Sequence, residues 1–198
     1  MIEQDKHRQR MIRKKAVVDA KVKSAQDARG VLLVHTGNGK GKSSAAFGVL
    51  ARALGHGQRA AVVQFVKNRS DTGEEAFFRD HPRVNWHVMG EGFTWETQDK
   101  ARDASAAHAA WAQALIYLAD PAINLLILDE VTYAFKYNWL DLGTVIAALK
   151  NRTPLQHVIL TGRAAPPALV DAADTVSEIA MVKHAFQAGV PAMPGLEF

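Results

Sequence analysis

The 198-residue chain contains no cysteine. Disulfides, thiolate metal ligands and cysteine nucleophiles are therefore excluded, and any metal must be held by oxygen or histidine ligands. The chain also lacks a run of roughly 18 uncharged apolar residues, the length a membrane span needs. Its basic beginning has no apolar segment of the secretory type, so a soluble, cytoplasmic protein is expected. No internal repeat, no low-complexity tract, no nucleophile–base triad and no histidine pair spaced His-x-x-x-His is found. What is present is 48 % apolar residues, enough to bury one substantial core with little left for a second independent domain.

Charge is unevenly spread. Met1 to Arg29 holds nine Lys/Arg against four Asp/Glu, net +5, so the rest of the chain carries −1 of the total +4. Basic character thus belongs to residues 1–29, read as an N-terminal helical arm, with residues 30–198 as a single α/β domain. Such an arm suits either nucleic acid or a solvated helix docked on its own protein or on a twin subunit. No aromatic residue is interleaved with these charges, as stacking on single strands would require, so nucleic acid is not expected.

Ile2 to Ala28 has no proline or glycine and places Met11, Val18 and Val22 at helical spacing, which predicts a long helix ended by Gly30. Val31 to His35 reads as a short strand, followed by a glycine-rich loop and a helix from Ser43 to Leu54. Further strands are predicted at Arg59–Lys67, Val84–Met89, Ile123–Leu128, Gln156–Thr161 and Thr175–Val182. Helices are predicted at Thr94–Ala119, with Thr97 as cap, at Leu140–Leu149, and after Pro166-Pro167. Ile123 to Leu128 is apolar without alternation, the pattern of a strand buried on both faces. Strands alternating with helices imply one open, mostly parallel sheet with helices on both faces.

The chemistry concentrates in Thr36-Gly37-Asn38-Gly39-Lys40-Gly41-Lys42-Ser43. In the phosphate-binding loop G-x-x-x-x-G-K-[ST], backbone amides and the following helix N-terminus wrap phosphate oxygens, and the lysine adds a mobile positive charge. Thr36 stands where the first glycine is usual, but Gly37, Gly39 and Gly41 still let the backbone approach a phosphate closely. The segment sits between a strand and a helix, as that mechanism requires. Asn38, Lys40 and Ser44 are further candidates for phosphate contact.

The partner expected of such a loop is an apolar strand ending in an acid that helps hold a metal ion. Leu125-Leu126-Ile127-Leu128-Asp129-Glu130 supplies it. Ser43, Asp129 and Glu130 are the predicted metal residues, for Mg²⁺ or Mn²⁺. The competing reading is that Asp129 only caps the next helix. Loops of this kind serve hydrolases, kinases, motors and group-transfer enzymes alike. In a hydrolase Glu130 would orient a water and Arg163 would stabilise leaving charge. Arg52 either reaches nucleotide or faces solvent, Gln64 ends a strand where a switch-point crevice opens, and Lys183 and His184 suit either ligand contact or structure.

The loop and its continuation, Thr36 through Gly48, closely resemble those of the bacterial ATP:corrinoid adenosyltransferases, single-P-loop enzymes of cobalamin synthesis and salvage. Similar motifs are Val63-Gln64-Phe65-Val66-Lys67, Gly92-Phe93-Thr94-Trp95-Glu96-Thr97-Gln98, Leu128-Asp129-Glu130-Val131-Thr132-Tyr133, Thr161-Gly162-Arg163 and Val182-Lys183-His184-Ala185-Phe186-Gln187-Ala188-Gly189-Val190. They span the chain from Val31 to Val190. Thr36 in place of glycine is itself a trait of that family. Ser43 stands where its members usually carry threonine, which keeps the hydroxyl, and Asn68 to Glu75 diverges.

The resemblance implies a P-loop NTPase-like, RecA-like fold. It also implies an unusual use of ATP, in which Co(I) of a reduced corrinoid, cobalamin or a precursor such as cobyrinic acid a,c-diamide, attacks C5′ of the ribose and expels tripolyphosphate. Lys42, Ser43 and the metal then neutralise a leaving group. Phe93 and Trp95 resemble an aromatic pair that crowds the lower corrin face and displaces the axial ligand of Co(II). The same resemblance implies a reduced flavoprotein as electron donor, a homodimer, and an N-terminal helix that folds over the corrinoid site. The alternative from another class is an ATPase that acts as a conformational switch and contacts nucleic acid through its arm.

Overall fold

In the computed structural model, which describes residues 2–66, 72–90 and 99–196, six strands form one sheet in the order β3-β2-β4-β5-β1-β6. The strands are β1 (Leu32–Thr36), β2 (Ala60–Gln64), β3 (Val84–Val88), β4 (Leu125–Asp129), β5 (His157–Thr161) and β6 (Thr175–Glu178). Every pairing is parallel, so the expected "mostly parallel" sheet is parallel throughout its described extent. Parallel neighbours need a crossover, and the helices that provide it cover both faces.

Alternation along each strand sorts residues between two cores. Ala60, Val62, Leu125, Ile127 and Ile159 face α2 (Lys42–Gly55), which contributes Ala46, Phe47, Leu50 and Ala53, and Phe78 of α3 (Gly73–Phe78) joins them. Ala61, Val63, Leu126, Leu128, Val158 and Leu160 face the other way. There they meet α4 (Lys100–Ala119), α5 (Thr132–Lys136), α6 (Leu142–Lys150) and α7 (Pro167–Ala172) through Ala110, Trp111, Ala134, Leu149 and Leu169. Strand β4, buried at every position, lies between both cores, which is why its sequence is an unbroken apolar run. Burying a side chain such as Leu126 stabilises the fold by about 1.5–3 kcal/mol.

Several boundaries shift from the expected ones. Strand β2 stops at Gln64 rather than Lys67, β6 at Glu178 rather than Val182, and α1 (Ile2–Ser24) at Ser24 rather than Ala28. The cap of α4 is Asp99, whose side chain accepts from the amides of Ala101 and Arg102, rather than Thr97, which lies outside the described residues. Helices α3 and α5, and a 3₁₀ turn at Ala185–Ala188, were not expected from the sequence. Helix α1 is exposed along its described length, and the chain enters the core at Arg29, whose guanidinium lies 2.6 Å from the Asp174 carboxylate. The other Asp174 oxygen accepts from the Leu32 amide at 2.7 Å and so fixes the start of β1.

Candidate functional site

The parallel register brings the carboxyl ends of four strands level. Gln64 pairs with Asp129 and with Val88, while His35 pairs with Thr161, so Gln64, Asp129, Thr161 and His35 form one row on the face toward α2. Polar side chains at the end of a buried strand must find partners. Here Gln64, Asp129 and Thr161 find each other. Asp129, with no exposed surface, accepts on Oδ1 from Ser43 Oγ at 2.6 Å and from Thr161 Oγ1 at 2.8 Å, and on Oδ2 from Gln64 Nε2 at 2.9 Å. It is therefore no helix cap. The cap position of α5 is Val131, which makes no side-chain cap bond.

Residues 37–41 rise between β1 and α2. At Gly37, with φ of +97°, a Cβ would sit 2.5 Å from the Ile179 carbonyl oxygen, so only glycine lets the loop lie against the chain that leaves β6. That contact is sealed by the Gly39 amide donating to the Ile179 carbonyl at 2.7 Å. Thr36 is buried, and its hydroxyl accepts from the Ala165 amide at 3.1 Å. This bond gives the threonine in place of glycine a physical reason, since it ties the root of the loop to the turn after β5. Asn38, Lys40 and Ser44 stand exposed on the loop and the first turn of α2.

Helix α2 starts after Gly41 with no side-chain cap and no acidic residue in its first turn. Its leading amides and the positive end of its dipole therefore remain available to an anion. Lys42 is buried to 6 % exposure, and its ammonium donates to the Gly39 carbonyl at 2.7 Å. Burial lowers its pKa; Glu130 and Asp129 pull the other way, while Arg163 and Lys40 add to the lowering. Charge held in so dry a place attracts an anion more strongly than it would in water.

Glu130 follows Asp129 with φ of +59°, a left-handed conformation that non-glycine residues adopt at a cost. Its amide donates to Thr161 Oγ1 at 2.9 Å, so one threonine hydroxyl fixes both acids. The next turn is pinned too. Thr132 Oγ1 donates to the Arg163 carbonyl at 2.8 Å, and at Gly162, with φ of +143°, a Cβ would lie 2.0 Å from that Oγ1. Partial burial, and then the negative charge of Glu130, push the Tyr133 hydroxyl up from its ordinary value. His35, level with Thr161, is shifted down by burial, and its Nδ1 has no hydrogen-bond partner.

The structure thus brings together Thr36 to Ser43, Asp129 and Glu130 of the residues singled out from sequence. Gln64 belongs here in a different capacity. It was expected to touch ligand, but it is fully buried and both ends of its amide are used, by Asp129 and by Trp86 Nε1 at 3.2 Å. Arg52 is not brought to the loop. It lies in the last turn of α2, ten residues and roughly 15 Å beyond Lys42, exposed beside an apolar cavity of about 310 Å³ at the opposite, amino-terminal edge of the sheet. His184 caps the 3₁₀ turn by accepting from the Phe186 amide, and Lys183 is exposed. Phe93 and Trp95 lie outside the described residues. Thr132 and the two-way role of Thr161 escaped sequence reading, although the Thr161-Gly162-Arg163 motif marked the place.

A parallel α/β sheet with a glycine-rich loop after β1, a buried loop lysine, and a hydroxyl at the start of α2 bonded to an acid at the end of β4 defines the class of nucleoside-triphosphate-binding P-loop proteins. Comparison with known proteins narrows this class. A family model described as ATP:corrinoid adenosyltransferase BtuR/CobO/CobP matches residues 28–198. The corrinoid adenosyltransferase of Pseudomonas aeruginosa is 59 % identical over 194 residues, covering 98 % of this chain and 96 % of that protein. The corrinoid adenosyltransferase CobA of Salmonella typhimurium is 47 % identical and the Escherichia coli K12 corrinoid adenosyltransferase 45 %, each over 98 % of both chains. The chain belongs to the ATP:corrinoid adenosyltransferase family. This membership favours the transferase reading over an ATPase switch.

Proposed function

We propose that this chain transfers the 5′-deoxyadenosyl group of ATP to the Co(I) centre of a reduced corrinoid and releases tripolyphosphate. The observation that carries the reading is the convergence of a buried Lys42, the uncapped start of α2 and the Ser43–Asp129 bond at one point, in a member of a family named for both substrates. Co(I) supplies an electron pair to C5′; a cobalt–carbon bond forms as the C5′–O bond breaks, and that bond's electron pair leaves on the tripolyphosphate. No proton need move in this displacement, so the chain requires no acid or base. Its work is to hold the triphosphate and to stabilise negative charge as it develops on the departing oxygen. Lys42 and the leading amides of α2 do this directly. Thr36, anchored to Ala165, keeps the loop at a fixed height above the sheet.

The donors beside the loop suit a hard cation. They are the Ser43 hydroxyl, 2.6 Å from Asp129 Oδ1, and the carboxylate of Glu130 next in the chain. Among the described residues no cluster of three or more His, Asp or Glu could hold a metal unaided. This fits Mg²⁺, or Mn²⁺, shared between a few protein oxygens and substrate phosphates. When bound, the ion supplies further neutralisation of the leaving group.

The remaining parts of the reading rest on resemblance. Phe93 and Trp95 crowd the lower corrin face and keep it dry. Residues 1–29 form an arm apart from the domain at 30–198 and fold over the corrinoid; in support, α1 exposes Met11, Val18 and Val22. A second copy of the chain completes a homodimer, a reduced flavoprotein supplies the electron, and the reaction runs in the cytoplasm. No helix among the described residues is long and apolar enough to cross a membrane. The reading is tested by mixing the protein with Mg-ATP and chemically prepared cob(I)alamin. The expected result is loss of the Co(I) spectrum and growth of a light-sensitive alkylcobalt spectrum. Reoxidation to Co(II) with no alkylcobalt contradicts the reading.

A further inference from the structure

Strand β3, at the edge of the sheet, carries Trp86 on the same face as Gln64 of β2, diagonally across the pair. The indole nitrogen is 3.2 Å from Gln64 Oε1, and the other end of that amide, Nε2, is 2.9 Å from Asp129 Oδ2. The indole itself is held by two phenylalanines. Its ring lies 5.2 Å from Phe47, on α2 just beyond the loop, and is stacked on Phe78 of α3 at 6.3 Å and 9°.

An indole N–H only donates, and a carboxylate only accepts. Trp86 therefore requires the Gln64 oxygen, and Asp129 requires the Gln64 nitrogen, so a single orientation of the amide satisfies both. The reverse orientation would set an oxygen against the carboxylate and an NH₂ against the indole N–H. Because Gln64 has no exposed surface, water cannot correct such an error. With Oδ2 held from the β2 side, the carboxylate plane of Asp129 is fixed and Oδ1 stays aimed at Ser43 and Thr161.

We propose that Trp86, acting through Gln64, is a positioning residue for the metal-binding pair Ser43–Asp129. It sets the affinity for the metal-bound nucleotide while touching neither metal nor nucleotide. This rests on the reading above of Ser43 and Asp129 as the metal site, and it extends that site by two strands to the edge of the sheet. The side-chain hydrogen bonds of Trp86 and Gln64 run to each other and to Asp129, not to the loop lysine or a loop amide, so binding of metal-free nucleotide should not depend on them.

The test measures equilibrium binding of ATP to the full chain, once with Mg²⁺ and once with EDTA, without corrinoid. Trp86→Phe keeps a ring between Phe47 and Phe78 and removes the N–H. Gln64→Met matches the glutamine in length and removes both bonds. Each should weaken binding of Mg-ATP about five- to tenfold and leave binding of metal-free ATP within twofold of wild type. The double variant should lose no more than Gln64→Met alone, because Trp86 acts only through Gln64. Equal losses with and without metal, additive losses in the double variant, or unchanged Mg-ATP affinity overturn the proposal. If the wild-type chain binds ATP equally with and without Mg²⁺, both the metal-site reading and the positioning role fall. The transferase reading is separate, and fails only in the alkylcobalt assay.

Discussion

Thr161 shows how much a single side chain settles at this site. Its hydroxyl donates to Asp129, which has no exposed surface, and accepts from the amide of half-buried Glu130. Thr161→Val keeps the shape and removes both bonds, one from the buried Asp129 carboxylate and one from the half-buried Glu130 amide. A loss of roughly 2–3 kcal/mol in urea unfolding is expected, with Thr161→Ser close to wild type. Lys42 is a different case: its own bond is to the Gly39 carbonyl, and in the proposed site its charge faces the triphosphate. Lys42→Ala should weaken ATP binding by roughly 1.5–3 kcal/mol, the worth of a charge-assisted contact, measurable by calorimetry. Unchanged nucleotide affinity would misplace the phosphates. Spacing singles out Lys42, Ser43 and Asp129 as candidates, and the fold places them side by side. Spacing alone leaves Arg52 open between nucleotide and solvent and aims Gln64 at ligand, because strand register and helical distance, invisible in spacing, decide what each side chain reaches.

At the scale of elements, the connections after the strands are as constrained as the strands. The turn after β5 passes Thr132 so closely that Gly162→Ala must either move α5 or distort a backbone already at φ of +143°. A loss of about 2 kcal/mol or more is expected, read from the denaturation midpoint. The start of β1 is held by Asp174, whose carboxyl is kept below the usual carboxylate range first by the Leu32 amide and then by Arg29. A carboxylate with a depressed folded pKa contributes stability that is complete above its unfolded value, about pH 4, and is lost as pH falls through the lower folded value. Thermal midpoints of wild type should therefore drop more steeply than those of Asp174→Asn as pH is lowered below about 4. Parallel pH curves would show that the Leu32 and Arg29 contacts contribute nothing measurable. Long, strongly patterned elements such as α2, α4 and β4 were legible from sequence. The short α3 and α5 were not, because five or six residues give too little periodicity to recognise and their formation depends on burying Phe78 in one case and Ala134 and Phe135 in the other.

For the whole molecule, the strand order places the β1 loop and the end of β4 on either side of β5, so that Asp129, bonded to both Ser43 and Thr161, joins segments far apart in sequence. A parallel α/β sheet could be read from the alternation of strands and helices, but the order of strands could not. Nor does the fold identify the bond that breaks. A P-loop that cradles triphosphate serves hydrolysis at phosphorus or displacement at carbon with the same residues. The central claim is that this chain uses the cradle for a leaving group, and the phosphorus-containing product tests it most directly. With Mg-ATP, cob(I)alamin and the protein, ³¹P NMR should show tripolyphosphate accumulating in step with adenosylcobalamin, one for one. Accumulation of ADP and orthophosphate, with no dependence on the corrinoid, would contradict the account.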